Sequence, residues 1–309
     1  MKKYLLIAAA LLGTALAIPI AHSARTLDVG GSGDSVQLLN NWNMVKEELF
    51  GNSNSPPTKG KTGKNRLFVF GTAGDLSTEY TFAIFDDFIY QTILETDAPW
   101  ILNSGADAQA ADPVISVQER GAIRLAGGDS DGTVGDDASQ IVLHIPVQAD
   151  SDGLVFESRL KMNGTPTTND SIVVVGFTDI STLTEYPVIA GASGASTWTT
   201  NATDAVVFVY DTNHATDQWA AIGVDGGTDA GDNALTGTAP TADTYQVLRI
   251  EVDSDGERAK FYIDGNLQTT LTGTVTSATT NLYATILVGS NGSSSPVVDI
   301  DYIYVGHDR

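Results

Sequence analysis

From residue 67 onward the chain is written in strand-sized blocks. Leu154, Phe156, Leu160 and Met162 alternate with Val155, Glu157, Arg159 and Lys161, the period-two pattern of a strand with one buried and one wet face. Short runs of β-branched and aromatic residues recur at 172–177, 205–210, 248–252, 261–263, 284–288 and 297–305. Clusters of Gly, Asp, Asn, Ser and Thr, which end strands and form turns, separate them. About a dozen such segments with no helical periodicity between them predict an all-β fold, a two-sheet antiparallel sandwich. Asp-Ser-Asp-Gly occurs at 129–132, 150–153 and 253–256, each time suited to a tight turn in which Gly supplies positive φ. The irregular spacing excludes a repeat, and the missing later ligands exclude an EF-hand loop.

The pattern differs upstream. Residues 1–24 open with Lys2 and Lys3, run apolar from Tyr4 to Ile20, and offer small-residue cleavage sites after Ala17 and Ser23. This is the form of a secretory signal peptide rather than a membrane span; the alternative is a hydrophobic N-terminus that stays on the chain and docks in an assembly. Residues 25–66 form an N-terminal arm. Within it Leu38, Trp42, Val45 and Leu49 recur at helical spacing, Asp34 or Ser35 can cap, and Gly51 can stop, so a short helix is predicted over 35–50. It packs either on its own domain or on a neighbouring subunit. A linker at 51–65 carries Lys59, Lys61 and Lys64, and 67–309 is the sandwich.

Charge narrows the partners. With 38 acidic residues against 16 basic ones the net charge is −22, which repels nucleic acid and anionic lipid. Asp outnumbers Glu 29 to 9, and Asp favours turns, so the acid marks loops. With no cysteine, the fold uses neither disulfides nor thiolate metal sites, and a core of this size is stable without them.

Three stretches together resemble the concanavalin A-like lectin/glucanase (LamG-type) jelly roll: Ile84-Phe85-Asp86-Asp87-Phe88 followed by Trp100; Tyr245 to Asp253 followed by Phe261-Tyr262-Ile263-Asp264-Gly265; and Val298 to Val305. The resemblance spans about 81–309 and implies a concanavalin-like jelly-roll sandwich. The closing Asp-Ile-Asp-Tyr-Ile-Tyr-Val with Asp308 and Arg309, and Val175 to Asp179, are similar to segments of bacteriophage virion proteins carrying this domain. A coat component assembled inside the cell needs no export signal, so residues 1–24 weigh against that narrower likeness. The superfamily often holds a structural calcium at its last strand. The resemblance places Asp301 there, with Asp86 or Asp87 beside it, and oxygen ligands suit calcium; either Asp can equally bond backbone or face water. Asp225, Asp229 and Asp232 are a weaker loop candidate.

For chemistry, the related glucanases use two carboxyls about 5 to 5.5 Å apart. Glu251-Val-Asp253-Ser-Asp255-Gly-Glu257 offers such a set superficially, but the resemblance puts the catalytic strand earlier, where 205–210 has acids only at its ends, Asp204 and Asp211. After residue 24 only His144, His214 and His307 remain, and neither a Gly-x-Ser-x-Gly elbow nor a phosphate loop occurs, so no catalytic machinery is recognisable. Sugar binding needs an aromatic face beside polar groups. Trp198, among Ser and Thr, and Trp219, beside Asp217 and Gln218, are the candidates, with Tyr210 and Asp211 near in sequence; of the two readings of Trp219, core comes before ligand contact. The leading expectation is a non-enzymatic structural or adhesive surface protein, secreted or on a virion surface, attached to itself or to a particle through 25–66. The alternative is a secreted carbohydrate-binding module, and a glucanase-like hydrolase is third.

Overall fold

The computed structural model describes residues 66–69, 83–86, 88, 100–105, 114–118, 121–128, 137–150, 153–166, 171–190, 194–290, 292 and 295–306. All fall in one unit, Thr62–Arg309. The expectations for 1–24, the 35–50 helix and the 51–65 linker lie outside the described residues.

Among the described residues the chain forms strands β1 (Arg66–Val69), β2 (Ala83–Asp86), β3 (Trp100–Ser104), β4 (Val114–Gln118), β5 (Ala122–Ala126) and β6 (Ala138–Leu143). Next come β7 (Leu154–Asn163), β8 (Ser171–Thr178), β9 (Val188–Ala190), β10 (Trp198–Thr200), β11 (Ala205–Asp211) and β12 (Ala220–Asp225). The remainder are β13 (Thr228–Leu235), β14 (Tyr245–Val252), β15 (Arg258–Ile263), β16 (Asn266–Thr272), β17 (Tyr283–Ser290) and β18 (Val297–Gly306).

They build two antiparallel sheets. One has nine strands, in order β1-β2-β18-β7-β14-β15-β16, with β5 also on β18 and β4 on β5. The other has seven, β13-β12-β11-β8-β17-β6-β3, and β9 and β10 form a separate ribbon. The expected all-β sandwich of jelly-roll type is therefore the fold. Strand β18 is long enough for two short strands to share one side of it: β5 pairs along Val297–Ile300 and β2 along Ile303–Gly306. Its register against β7 shifts between Ile300 and Tyr302, so a bulge sits at Asp301.

Between the sheets lies the main core. From the nine-stranded sheet it takes alternate residues, Leu154, Phe156, Leu160 and Met162 of β7 and Leu248, Ile250 and Val252 of β14; their neighbours take the outer face, where Val155 and Glu157 are buried and Arg159 and Lys161 half-buried. Aromatic rings span the gap, Phe156 meeting Phe177 at 5.8 Å and Phe261 meeting Phe208 at 5.0 Å, both edge to face. Each such buried side chain contributes about 1.5–3 kcal/mol. The seven-stranded sheet is buried on both faces. Val173, Val175 and Phe177 of β8 point to the main core, whereas Ile172 and Val174 enter a second cluster with Val207 and Val209 of β11. Uninterrupted apolar runs rather than alternation are what such a strand requires.

Among the described residues no helix is long and apolar enough to cross a membrane.

Two of the three Asp-Ser-Asp-Gly turns fall among described glycines. Gly153 and Gly256 have φ of 72° and 69°, and a Cβ would collide with the carbonyl oxygen of Val252 at the first and of Thr276 at the second. Gly256 also donates its N–H to Asp253 O and accepts from Val275 N–H. Gly256→Ala is expected to cost about 2–4 kcal/mol in urea unfolding, combining strain with collision; an unchanged midpoint would contradict this geometry.

Candidate binding site

The outer face of the seven-stranded sheet is closed over its centre by residues 179–190 and 194–204. Tyr186 and Val188 seal the second apolar cluster, with Ile180, Leu183, Ile189 and Trp198 packed partly against it. Two carboxylates at the ends of β11 anchor this cover and the facing loop. Asp211, 2% exposed, accepts the N–H of Ala190 at 3.2 Å and of Asn213 at 2.8 Å. Asp204, 3% exposed, accepts the N–H of Ser277 at 2.7 Å and the Thr280 hydroxyl at 3.1 Å. Both serve as hydrogen-bond acceptors for loops, which explains why acids bracket an otherwise apolar strand.

Trp198 stands on β10, where it pairs with Ala190 of β9. Since Asp211 holds Ala190, the structure brings Asp211 and Trp198 to one place, as their nearness in sequence suggested. The indole lies parallel to the His214 ring, with centroids 4.5 Å apart and planes 5° apart. His214 is itself buried, its Nδ1 accepting the Thr216 N–H at 3.1 Å. Ser196, Thr197 and Thr199 are exposed around the half-buried indole. His214 was not anticipated as a partner, because a stack between residues 16 apart leaves no periodic signal.

The other two proposed aromatic residues are core. Trp219 and Tyr210 are 0% exposed and tilt against each other at 5.7 Å. The Trp219 indole N–H donates to Gln246 Oε1 at 3.1 Å, and burial, then Asp217 and Asp211, push the Tyr210 phenol up. Neither ring presents a face to a dissolved sugar. Trp219 has its polar flanks at the strand end and its ring between the sheets, as its reading as core required.

The outer face of the nine-stranded sheet carries a network of a different kind. Arg249 on β14 reaches Glu251 at 2.8 Å and Glu157 on β7 at 3.3 Å. The Tyr302 hydroxyl of β18 donates to Glu157 at 2.7 Å, and that of Tyr262 on β15 donates to Glu251 at 3.0 Å. Burial works against the Arg249 charge, but its two glutamates outweigh it and raise its pKa. Burial, then Glu157, also push the Tyr302 phenol up, keeping it a donor. Nearby, Arg124 makes two hydrogen bonds to Asp299, at 2.7 and 3.0 Å, and Lys161 lies 3.3 Å from the same carboxylate. Arg159 covers the Tyr245 ring at 4.5 Å. Glu251 is thus ion-paired with Arg249, and Asp253 pairs with Arg258 at 2.8 Å.

For calcium the donors are already engaged. Asp301 meets the Arg159 guanidinium at 2.9 Å. Asp86, on the strand that pairs beside it, accepts the Phe88 N–H and the Trp100 indole N–H, each at 3.0 Å. A divalent ion would have to displace a cation at one and two N–H donors at the other, so this pair does not fit the ion. Among the described residues no group of three or more His, Asp or Glu is placed to hold a metal. Asp87 and His307 lie outside the described residues, as do the side chains of Asp229 and Asp232; Asp225 ends β12, and His144 is exposed.

No protein-family model matches the chain, and no curated protein does. Among solved structures it is similar to the carbohydrate recognition domain of Emp47p, at 13% identity over 77% of this chain and 100% of that one, with a TM-score of 0.47. It is also similar to a Bacillus licheniformis β-glucanase, at 15% identity over 76% and 100% with TM-score 0.46, and to a glycosidic hydrolase, at 14% over 72% and 94% with TM-score 0.47. Likeness at this level is one of fold alone.

Burial pushes the Asp299 carboxyl up, but hydrogen bonds from Arg124, Asn163 and Lys161 outweigh it and hold the carboxyl below its usual range. The folded group is then the stronger acid, so its contribution is complete above about pH 5 and is lost as the pH falls through the folded value. Asp299→Asn should lower stability by about 1–3 kcal/mol at pH 7, with the difference from wild type shrinking towards about pH 3 in urea titrations. Chelation by EDTA should leave the melting temperature unchanged; a fall would restore calcium to the Asp301 region.

Proposed function

We propose that this chain is an exported, non-catalytic carbohydrate-binding module whose stacking surface is Trp198. One observation carries the reading. Of the three described tryptophans, Trp100 and Trp219 are sealed in the core, while Trp198 keeps a half-exposed indole clamped parallel to His214. A sugar ring packs its C–H face on an aromatic plane and is oriented by polar groups at the edge. An indole already fixed by a stack loses little freedom on binding, so more of the contact energy appears as affinity. The exposed hydroxyls of Ser196 and Thr197, next to Trp198 in the chain, supply edge donors and acceptors. Export is supported by the signal-like pattern of residues 1–24, which also accords with a cysteine-free acidic surface suited to solution outside the cell.

The non-catalytic part of the reading is supported by how the carboxylates are held. Glycoside hydrolysis needs one protonated carboxyl and one unencumbered carboxylate facing the same bond. Glu157 and Glu251 instead flank and pair with Arg249, and Asp204 and Asp211 are occupied by loop N–H and hydroxyl donors.

A glycan array with the whole chain tests the module. Wild type is expected to bind, and Trp198→Ala to weaken the strongest hit by about tenfold or more, equivalent to about 1.4 kcal/mol, while far-ultraviolet circular dichroism stays that of the folded sandwich. Binding retained in Trp198→Ala, or release of reducing ends from the bound glycan that Glu157→Gln abolishes, would refute the reading.

A further inference from the structure

We infer that the Trp198 platform takes glycans that carry free amino groups and turns away those that carry carboxylates or sulfates. The inference rests on the carbohydrate reading and deepens it. Its ground is the sign of the charge around the indole. Residues 162–248 supply β8 to β13, the cover over the seven-stranded sheet and the loop that bears His214. They contain ten acidic residues and no Lys or Arg. The other strands of that sheet, β3, β6 and β17, contain no Lys or Arg either. Every Lys and Arg whose side chain is described stands instead on the outer face of the nine-stranded sheet: Arg124, Arg159, Lys161, Arg249, Arg258 and Lys260, on β5, β7, β14 and β15. Each is there paired with a carboxylate of its own sheet or the turn beside it.

The acids on the platform's own segments have no such partners. Asp179 and Glu185 stand on the cover that carries Trp198, and Asp217 on the loop that carries His214. Among the described residues none of the three forms an ion pair. Asp179 accepts the Thr203 N–H on both oxygens, a neutral donor that leaves its charge in place. Their summed field draws a cation to this side of the molecule and repels an anion. The indole adds a short-range attraction of the same sign, because the negative face of its quadrupole draws an ammonium group within about 6 Å of the ring centre. An amino sugar lays its C–H face on the ring as any pyranose does, and its ammonium gains from both effects. The exposed hydroxyls of Ser196 and Thr197 accept from an ammonium as they do from a sugar hydroxyl. A sialyl, uronate or sulfated sugar has the same C–H face but meets no Lys or Arg on these segments to pair with its anion. It is excluded by repulsion and by the cost of desolvating an unpaired charge, where shape alone would admit it.

Isothermal titration of the full chain with three oligomers of one glucosamine backbone tests the selectivity. They differ only at nitrogen, as free amine, N-acetyl and N-sulfate, at a pH where the amine is protonated. Affinity should fall in that order, the amine binding about fivefold tighter than the N-acetyl form at about 0.02 M salt and within about twofold of it at about 0.5 M, as screening removes the field. Trp198→Ala should lose the preference together with the binding. Glu185→Gln combined with Asp217→Asn should at least halve the ratio of amine to N-acetyl affinity, with cooperative melting retained. Glu257→Gln, an exposed acid in the turn between β14 and β15, should leave that ratio as it is. Equal affinity for amine and N-acetyl forms at low salt, tighter binding of the N-sulfate, or a preference that survives Trp198→Ala would each overturn the inference. So would a ratio that falls as far in Glu257→Gln as in the double variant, since the attraction would then belong to the whole surface. Binding of neutral glycans without the amine preference overturns this inference and leaves the carbohydrate reading standing, whereas a chain that binds no glycan of any charge removes both.

Discussion

Two layers of strands are held one side chain apart by apolar groups that interdigitate, with Phe156 against Phe177 and Phe208 against Phe261 and Trp219 as the ring contacts that set the spacing. Dense packing of this kind leaves no polar group inside without a reason. The demand is met mostly by placing polar residues at strand ends and on outer faces. Two indoles inside are bonded, that of Trp219 to Gln246 and that of Trp100 to Asp86.

The two sheets solve their outer faces differently, and functional possibilities follow from that difference. The seven-stranded sheet covers its centre with its own chain, so a broad groove is replaced by a small platform at the rim of the cover, where Trp198 lies on His214. The nine-stranded sheet carries on its outer face long side chains that neutralise one another. Carboxylates suited to hydrolysis in number are thereby committed to charge balance on one sheet and to loop anchoring on the other.

Acidic residues illustrate how one residue type serves distinct physical ends here. Asp in the Asp-Ser-Asp-Gly turns shapes loops, Asp204 and Asp211 capture backbone donors at the ends of β11, and Asp299 and Asp301 balance the cations of β5 and β7. The jelly-roll resemblance pointed at Asp301 and Asp86 for a metal. Arg159 and Trp100 occupy them instead, because a guanidinium or an indole N–H satisfies a partly buried carboxylate as a cation would.

How legible each feature was in the amino-acid order depends on the range of the interaction behind it. Strand positions followed from local pattern: the alternation at 154–162 and 248–252 reports a single wet face, and the unbroken apolar runs at 172–175 and 205–210 report strands buried on both. The turn at Asp264-Gly265 was equally readable, since Asp264 and Gly265 take φ of 50° and 78°, which few residues accept. The exposure of Trp198 against the burial of Trp219 was decided only by tertiary structure, since both have polar neighbours in sequence, but Trp198 stands on the β9–β10 ribbon and Trp219 leads into β12 with its ring between the sheets. The stack on His214, the bridging of Glu157 and Glu251 by Arg249, and the gathering of every described cation onto one face likewise depend on strand order. A strand's own residues determine which side chains share a face, but pairing between segments far apart in the chain determines which faces share a surface.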